Sequence, residues 1–463
     1  MPNHNSHSVT PTAPPALLCR EELGALVQDG EIDTVMVGVP DMIGRLMGKD
    51  LDALHFTSSL PGGPDMCSYV LATNVDMDPL DGYGLSGWHN GYGDLHVIPD
   101  LDTIRPLSYL PGTVLIHGDV THTDGRPVDV APRQMLRTQL AALAELGYEI
   151  RAGIEAECVL YQGTEARIQR GGYQKLTPVS SHNLDYALSR PPAMSAFFRD
   201  LRDALREAGA SPEAIKTEGS PGQLEVTWPY GDPMRACDTA TVYKHAIRHI
   251  AASHRMTPTF MAAPQTGVGS GLHLHISLWK DGAPLFAMQP GGELPELLRD
   301  ALAGLIDALP HLAPLYAPTP NSYKRYARRS FAPTNFTWGF DNRTCAVRVV
   351  GHREGTHLEV RTPGADANPY SALAAVIAAL VHGITTHPKL PDPCPGDAYD
   401  EDGPLPVPRT LEAARADFVA SPIALRAFGP SVVEHYAHAA QTETDAHQRQ
   451  VTDVELKRGF LRA

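Results

Sequence analysis

Apolar and polar residues alternate strictly through the segment that follows Gly271. From Leu272 to Trp279 the even positions are all aliphatic, and the odd positions include His273, His275 and Ser277. Side chains two residues apart lie on the same face of a β-strand. The pattern therefore predicts a strand with one packed face and one face that carries reactive groups.

Three other segments predict strands of the same kind, each with acidic side chains on the polar face. Glu155 and Glu157 share one such face, and Glu225 and Glu359 each lie on another. Buried charges of one sign cost several kcal/mol each unless they are paired or neutralised. A divalent metal ion is the simplest partner for so many carboxylates.

The remaining patterns predict an α+β protein in which most strands are antiparallel. A short helix over 20–28, a strand over 33–39 and a second strand after the turn at 40–45 indicate a small β-rich domain over 16–127. Residues 1–15 are polar, contain prolines and show no periodicity, so we predict a disordered tail there.

Strands and helical segments alternate in the rest of the chain, which we assign to a catalytic domain over 128–463. Pro132 suits the first turn of a helix over about 133–146. Further helices are predicted near 235–254, 293–309, 369–383 and 410–440.

Charge and composition limit the kinds of molecule that the protein is expected to bind and where it is expected to be found. The 463 residues carry a formal net charge of −15, which argues against nonspecific binding to nucleic acid or to anionic membranes. The apolar segment from Ser371 to Ile384 is too short and too rich in alanine to span a bilayer. The six cysteines form no Cys-x-x-Cys pair and no signal-peptide pattern opens the chain, so we expect a cytoplasmic protein.

Six residues on or beside these strands are candidate metal ligands, namely Glu155, Glu157, Glu218, Glu225, His273 and Glu359. Carboxylate oxygens with an occasional imidazole suit Mg²⁺ or Mn²⁺, whereas zinc favours more histidine or cysteine. Six such ligands are enough for two ions, with water in the other positions. Two hard cations close together suit phosphoryl transfer.

Four arginines lie in a compact stretch whose local patterns place some of them beside these strands, namely Arg325, Arg343, Arg348 and Arg361. Guanidinium groups bind phosphate and carboxylate oxygens bidentately. The chain has no Walker sequence, so nucleotide binding cannot be argued from a glycine loop. A cupin-like metal oxygenase is an alternative for the His273-x-His275 pair, but it needs a third clustered histidine and has no use for four arginines.

Taken in order, these segments resemble the glutamine synthetase family from about Asp33 to the segment Val451-Thr-Asp-Val-Glu-Leu. The matching motifs are Glu155-x-Glu157, Glu218 with Gly222-Gln-x-Glu225, Gly269-Ser-Gly-x-His273-x-His275-x-Ser277, Asn321-Ser-Tyr-Lys-Arg325, Asn342-Arg343, and Glu359-Val-Arg361 followed by Asn368-Pro-Tyr370.

The resemblance implies a β-grasp-like N-terminal domain and a catalytic domain whose antiparallel sheets form a funnel surrounded by helices. It also implies a dodecamer of two hexameric rings, with ATP as co-substrate and γ-glutamyl phosphate as the intermediate.

The resemblance to the family also implies a role for each residue of this chain that matches a family motif. The resemblance implies one metal ion on Glu157, Glu218 and Glu225, and a second on Glu155, His273 and Glu359. Glutamate is expected to bind Arg325, Arg361 and the Gly269 backbone, next to His273. The ATP phosphates are expected to face Arg343, Arg348, His275 and Ser277. Arg343, Glu359 and Arg325 are the expected catalytic residues.

One departure from the family pattern bears on the substrate. In ammonia-using members the loop after Asn-Ser-Tyr-Lys-Arg carries a glutamate just before Ala-Pro, and that glutamate helps to take a proton from ammonium. Here Phe331 precedes Ala332-Pro333. A phenyl ring accepts no proton and attracts a cation only weakly, so Phe331 is expected to border the amine.

The chain also lacks the Asp-Gly-Ser-Ser segment of ammonia-using members and has Asp65-Met-Cys-Ser68-Tyr instead. Both departures resemble the γ-glutamyl-amine ligases of the family, which join glutamate to ethanolamine or to polyamines such as putrescine and spermidine. An ordinary ammonia-using glutamine synthetase is the nearest alternative. A non-catalytic structural relative is a remote one, because all six metal ligands are present.

Overall fold

A computed structural model of the protein describes residues 17–288, 291–399 and 405–462. The predicted tail at 1–15 lies outside the described residues. Two β-sheets and a set of helices form an α+β fold, as predicted.

The first sheet has six strands, and its elements follow the chain order α1 (Arg20–Gln28), β1 (Thr34–Pro40), β2 (Leu46–Asp52), α2 (Ala53–Ser59), β3 (Asp65–Cys67), β4 (Asp94–Pro99), β5 (Arg105–Pro106) and β6 (Thr113–Thr121). The strand order is β2-β1-β6-β4-β3, with β5 beside β6. The strands β1 and β6 run parallel, and the other pairs in this sheet are antiparallel.

The second sheet has nine strands, β7 (Glu149–Gln162), β8 (Ala214–Thr217), β9 (Gln223–Thr227), β10 (Met256–Thr259), β11 (Leu272–Lys280), β12 (Ala283–Pro284), β13 (Trp338–Phe340), β14 (Val347–Val350) and β15 (His357–Val360). Their order is β13-β14-β15-β11-β7-β9-β8, with β10 beside β7 and β12 beside β11. Among the described pairs of this sheet only β13 and β14 are parallel, so the prediction of mostly antiparallel strands is confirmed.

The helices of this part of the chain are α3 (Pro132–Glu145), α4 (Glu165–Arg170), α5 (Pro192–Glu207), α6 (Pro233–Ser253), α7 (Glu296–Ala308), α8 (Pro369–Thr386), α9 (Leu411–Ala420), α10 (Pro422–Gln448) and α11 (Asp453–Gly459). Pro132 occupies the first turn of α3, as predicted. The aliphatic side chains of β11 are at most 1% exposed, which confirms that one face of this strand is packed.

One helix prediction was wrong, and the helix α5 was missed. The segment 410–440 is not one helix, because Ser421 is extended (φ −80°, ψ 119°) and caps α10 through hydrogen bonds from the backbone of Ile423 and Ala424. The residue before a proline is disfavoured in the helical region, and Pro422 therefore separates α9 from α10. The helix α5 was not predicted, although its buried residues Phe197, Leu201 and Leu205 follow helical spacing.

The apolar segment at Ser371 to Ile384 is longer in the structure than predicted. As α8 it has 18 residues and satisfies the length and composition of a membrane span, but 72% of it is buried within the protein. Its contacts are with α3, α6 and α7. In this protein α8 is a core helix.

A buried ion cluster joins the two sheets. Arg133 on α3 is 1% exposed, and its guanidinium donates to Asp100 and Asp238 at 2.5 Å and to Asp119 at 2.9 Å. The Tyr370 hydroxyl also donates to Asp238, at 2.5 Å. Because Asp100 and Asp119 belong to the N-terminal part while Asp238 and Tyr370 lie on α6 and α8, this cluster fixes the first sheet against the helices of the second.

Candidate active site

Three carboxylates on neighbouring strands form the first cluster of the site. Glu157, Glu218 and Glu225 each place an oxygen atom within 4.8 Å of the others. Glu157 is held in place because Gln223 Nε2 and the Gly271 amide donate to its Oε2 at 2.8 and 2.9 Å. The sequence motif Gly222-Gln-x-Glu225 thus supplies both a ligand and the amide that orients another ligand.

A second cluster lies two residues away along β7 and includes residues of β11 and β15, because His273 pairs with Glu155 in the register of β11 and β7. His273 Nδ1 is 3.2 Å from Glu155 Oε2 and 3.6 Å from Glu359 Oε1. His275 Nε2 is 3.2 Å from Glu155 Oε1, so His275 forms a group with Glu155 and Glu359 as well. The structure therefore brings all six predicted ligands together and adds His275 beside them.

Two arginines contact Glu359, which belongs to this second cluster. Arg348 Nη1 donates to Glu359 Oε2 at 2.8 Å, and Arg361 Nη1 bonds to Glu359 Oε1. Burial alone raises the pKa of Glu359, but Arg361 and then His273 and His275 outweigh burial and lower it to about 2. Glu359 is thus a buried carboxylate that stays charged.

Glu225 behaves in the opposite way. Burial raises its pKa, and repulsion from Glu155 and Glu157 raises it further, to about 9. Burial also raises the pKa of Glu155, but hydrogen bonds from His273 and His275 more than reverse this and leave it below its ordinary value. The cluster without a cation therefore holds one carboxyl group in its neutral form.

The donor set fits hard divalent cations. Its ligand atoms are carboxylate oxygens and imidazole nitrogens, without a thiolate, which suits Mg²⁺ or Mn²⁺ better than zinc. A cation held by these residues would remove the repulsion that keeps Glu225 protonated, so metal binding would be coupled to proton release.

Arg325 and Arg361 form a cationic corner on the side of the site away from His275. Arg325 is 3% exposed and donates to the carbonyl oxygens of Arg361 and Thr362 at 3.1–3.2 Å. Its Cγ also lies close to Gly269, where an added Cβ would come within 3.2 Å. Arg361 is 5% exposed, and its Nε has no hydrogen-bond partner among the described residues. A buried guanidinium nitrogen without a partner is suited to an anionic ligand.

Phe331 lies at the edge of this corner. Its backbone is left-handed (φ 58°), its ring is 63% exposed, and its carbonyl oxygen accepts a hydrogen bond from Arg361 Nη2 at 3.1 Å. A bulky residue with positive φ is uncommon and costs energy. The contact with Arg361 holds the Phe331 backbone in this conformation beside the proposed glutamate position.

A cavity of about 360 Å³ opens at the other end of β11, lined by His275, Ser277, Trp279, Tyr230 and Arg151. The Tyr230 and Trp279 rings are stacked with centroids 6.4 Å apart, and the Arg151 guanidinium lies 3.7 Å from the Trp279 ring. The sequence analysis missed these aromatic residues. Trp279 continues the odd-numbered face of His273 to Ser277, which was the available signal.

The two remaining predicted arginines differ in position. Arg348 links Glu359 to Asp341 and is mostly buried, whereas Arg343 lies exposed in the turn between β13 and β14. His357 Nε2 is 3.1 Å from His275 Nδ1 and lines the same cavity.

Lys216 is a charged residue of the site that the sequence analysis did not single out. It hydrogen-bonds to Glu218, and its Nζ lies 3.6 Å from Glu225 Oε1. Burial lowers its pKa, but Glu225 and Glu218 raise it more, so the pKa of Lys216 is above its ordinary value. A single lysine between two acidic residues in sequence gave no signal, because its place in the site depends on the pairing of β8 with β9.

Residues 129–459 match the glutamine synthetase catalytic domain. The chain belongs to the glutamine synthetase family. It is thus an ATP-dependent ligase that forms a carbon–nitrogen bond. A γ-glutamylethanolamide synthetase, GlnA4 of Streptomyces coelicolor, is 43% identical over 443 residues, which cover 96% of each chain. The glutamate–isopropylamine ligase of a Pseudomonas species is 34% identical over 93% of this chain and 96% of its own.

The fold of this family member also matches a solved structure. The complex of GmaS with ADP superposes with a TM-score of 0.81 at 25% identity, covering 95% of this chain and 99% of that one. The predicted family and fold class are confirmed, and the cupin alternative is excluded. The individual residue roles and the domain boundaries stay predictions.

Proposed function

We propose that this enzyme joins the γ-carboxyl group of L-glutamate to a primary amine, at the expense of ATP and through γ-glutamyl phosphate. The products are a γ-glutamyl amide, ADP and phosphate. The observation that carries the proposal is Phe331, an exposed aromatic side chain at the loop position where the ammonia-using members carry a glutamate. Ethanolamine and polyamines such as putrescine and spermidine are the candidate amines.

Glutamate binding is assigned to the cationic corner. Arg325 and Arg361 supply the positive charge, and the free Nε of Arg361 supplies a donor for a carboxylate oxygen. Gln223 Nε2 donates to the Gly269 carbonyl at 2.9 Å and thereby orients the backbone that faces the amino acid. The substrate's γ-carboxyl group then points toward the row that contains Glu157 and Glu225.

ATP is assigned to the cavity at the other end of β11. The stacked Tyr230 and Trp279 rings suit an adenine base, and His275, Ser277, Arg343 and Arg348 lie on the way to the acidic clusters. Two Mg²⁺ or Mn²⁺ ions on the clusters would neutralise the phosphate charge during transfer. Arg343 is exposed, so its proposed contact with the transferring phosphoryl group requires its turn to close over the nucleotide.

The amine has to lose a proton before it attacks the acyl phosphate. Phe331 cannot accept that proton. Its ring attracts ammonium only weakly, whereas the carbon chain of an organic amine can pack against it, so the loop favours organic amines over ammonium. The two amine ligases described above each resemble this chain over more than nine-tenths of its length and support the same assignment.

The test is phosphate release from ATP and Mg²⁺ with glutamate, comparing ammonium, ethanolamine, isopropylamine, putrescine and spermidine at equal concentration. Turnover with an organic amine and little with ammonium is the expected result. Strong turnover with ammonium alone would make the enzyme an ordinary glutamine synthetase. No phosphate release with any amine would favour the non-catalytic alternative.

We further propose a cytoplasmic homododecamer of two hexameric rings, on the family resemblance. Light scattering on the purified protein should then give about twelve times the chain mass of 50.0 kDa. A monomer or dimer at micromolar concentration would contradict this assembly.

A further inference from the structure

Lys216 places a primary ammonium group among acidic side chains at the rim of the metal cluster. Besides its contacts with Glu218 and Glu225, its Nζ lies 3.8 Å from Asp185 Oδ1 and 4.6 Å from the centre of the Tyr186 ring. The Lys216 side chain is 23% exposed and that of Asp185 is 37% exposed. The ammonium is therefore in contact with both the buried cluster and the solvent.

The loop that carries Asp185 and Tyr186 is docked on β8 by specific hydrogen bonds. Thr217 Oγ1 donates to the Leu184 carbonyl at 2.6 Å, and the Tyr186 amide donates to the Thr217 carbonyl at 3.4 Å. These bonds fix the aspartate and the tyrosine ring against Lys216. The position of Asp185 next to Lys216 is therefore fixed by the fold of this loop.

Strand registers place Lys216 on the glutamate half of the site. Lys216 pairs with Glu225, and Glu225 pairs with Glu157, so the three lie in one row across β8, β9 and β7. Glu213, three residues earlier on the same chain segment, lines the ATP cavity instead. An amine that attacks the γ-carboxyl group therefore meets the row of Lys216, away from the nucleotide.

The positive charge of Lys216 determines whether a substrate with a second ammonium group can bind beside this row. When a divalent cation takes over Glu218 and Glu225, Lys216 retains Asp185 and the Tyr186 ring as partners. Asp185 is then neutralised by Lys216 and is not available to a second ammonium. A diamine therefore meets the Lys216 ammonium group where its own second ammonium group would need a free carboxylate.

We propose that Lys216, paired with Asp185, makes this enzyme selective for monoamines over diamines and polyamines. The inference rests on the proposed function, since it narrows the class of amine for the same site. Lys216 acts as a specificity residue through its charge, and Asp185 positions that charge.

The test compares putrescine with ethanolamine through kcat/KM, in the wild type and in Lys216→Met, Lys216→Arg and Asp185→Asn. Lys457→Met removes another ion-paired but exposed lysine, which lies on the C-terminal helix, and is the matched control. Removing the charge should raise the ratio of putrescine to ethanolamine about tenfold, because like charges about 6 Å apart repel strongly at a partly buried site. The effect should fall mainly on KM for putrescine.

Lys216→Arg should retain the wild-type ratio, which a loss of packing alone would not predict. Asp185→Asn should lower the ratio further, because it leaves the Lys216 charge without its partner. The thermal shift produced by Mg²⁺ reports whether the metal cluster survives in each variant. If Lys216→Met has lost that thermal shift, the ratio of putrescine to ethanolamine in Asp185→Asn tests the inference instead.

A ratio within about twofold of wild type in Lys216→Met with the Mg²⁺ shift intact, or in Asp185→Asn, would overturn the inference. A wild-type enzyme that uses putrescine as well as ethanolamine would overturn it directly, while the proposed function would stand. A wild-type enzyme that uses no organic amine would overturn the proposed function, and the inference with it.

Discussion

Replacing Glu225 with glutamine should stabilise the metal-free protein and strongly reduce its stabilisation by Mg²⁺. Glu225 is 6% exposed and lies beside Glu155 and Glu157, and this burial and repulsion raise its pKa to about 9. A carboxyl whose pKa rises on folding binds more protons in the folded state, so stability falls as the pH rises from 4.5 toward 9. A glutamine side chain has nearly the same shape as glutamate and stays neutral at every pH, so it avoids this loss of stability.

The size of the effect follows from the pKa. Keeping Glu225 neutral at pH 7, against its ordinary pKa of 4.5, costs the folded protein about 3 kcal/mol. For a chain of 463 residues the entropy of unfolding is about 1 kcal/mol per kelvin, so the melting temperature should rise by about 3 °C.

The assay is thermal unfolding at pH 7 in EDTA and again in saturating Mg²⁺. The wild type should gain about 3 kcal/mol when Mg²⁺ is present at a hundred times its dissociation constant, and Glu225→Gln should gain far less. Glu145→Gln, an exposed substitution on α3, is the matched control and should change stability by less than about 0.5 kcal/mol. A Glu225→Gln protein that is less stable than wild type in EDTA, or that keeps the full Mg²⁺ response, would refute the account of this cluster.

Three further predictions concern other parts of the molecule. Phe331→Glu should raise kcat/KM for ammonium at the expense of organic amines, and an unchanged preference would contradict the role given to the loop. Trp279→Ala should raise KM for ATP about tenfold or more through loss of ring stacking, with KM for glutamate unchanged; equal changes in both would point to a general loss of structure. Arg133→Met should cost about 3–5 kcal/mol in urea unfolding, because it leaves the buried Asp238 carboxylate without its ion-pair partner, whereas Arg126→Met at an exposed ion pair should cost less than about 1 kcal/mol.

The metal cluster was predictable from the sequence because its ligands lie on strands with a two-residue period. For Glu155, His273 and Glu359, alternation alone shows which side chains share a face with the reactive groups. Strand pairing then brings those faces together, and hydrophobic alternation constrains register strongly. Four strands with such faces, together with the family motifs, were sufficient to propose the site.

Residues whose role depends on tertiary neighbours could not be found in this way. Lys216 lies next to Glu225 only because β8 pairs with β9. Tyr230 follows a proline after β9, and its stacking on Trp279 arises from the fold of the sheet. The sequence Ser421-Pro422 is a signal for the break between α9 and α10. Helical periodicity continues on both sides of it, and the segment was therefore predicted as helical throughout.

Interception of the acyl phosphate by an organic amine can be measured in a single competition experiment. The enzyme is given glutamate, ATP and Mg²⁺ with ammonium and ethanolamine at equal concentration in one reaction, and the products are quantified by mass spectrometry. The account predicts γ-glutamylethanolamide as the main product and little glutamine. Glutamine as the main product would contradict it.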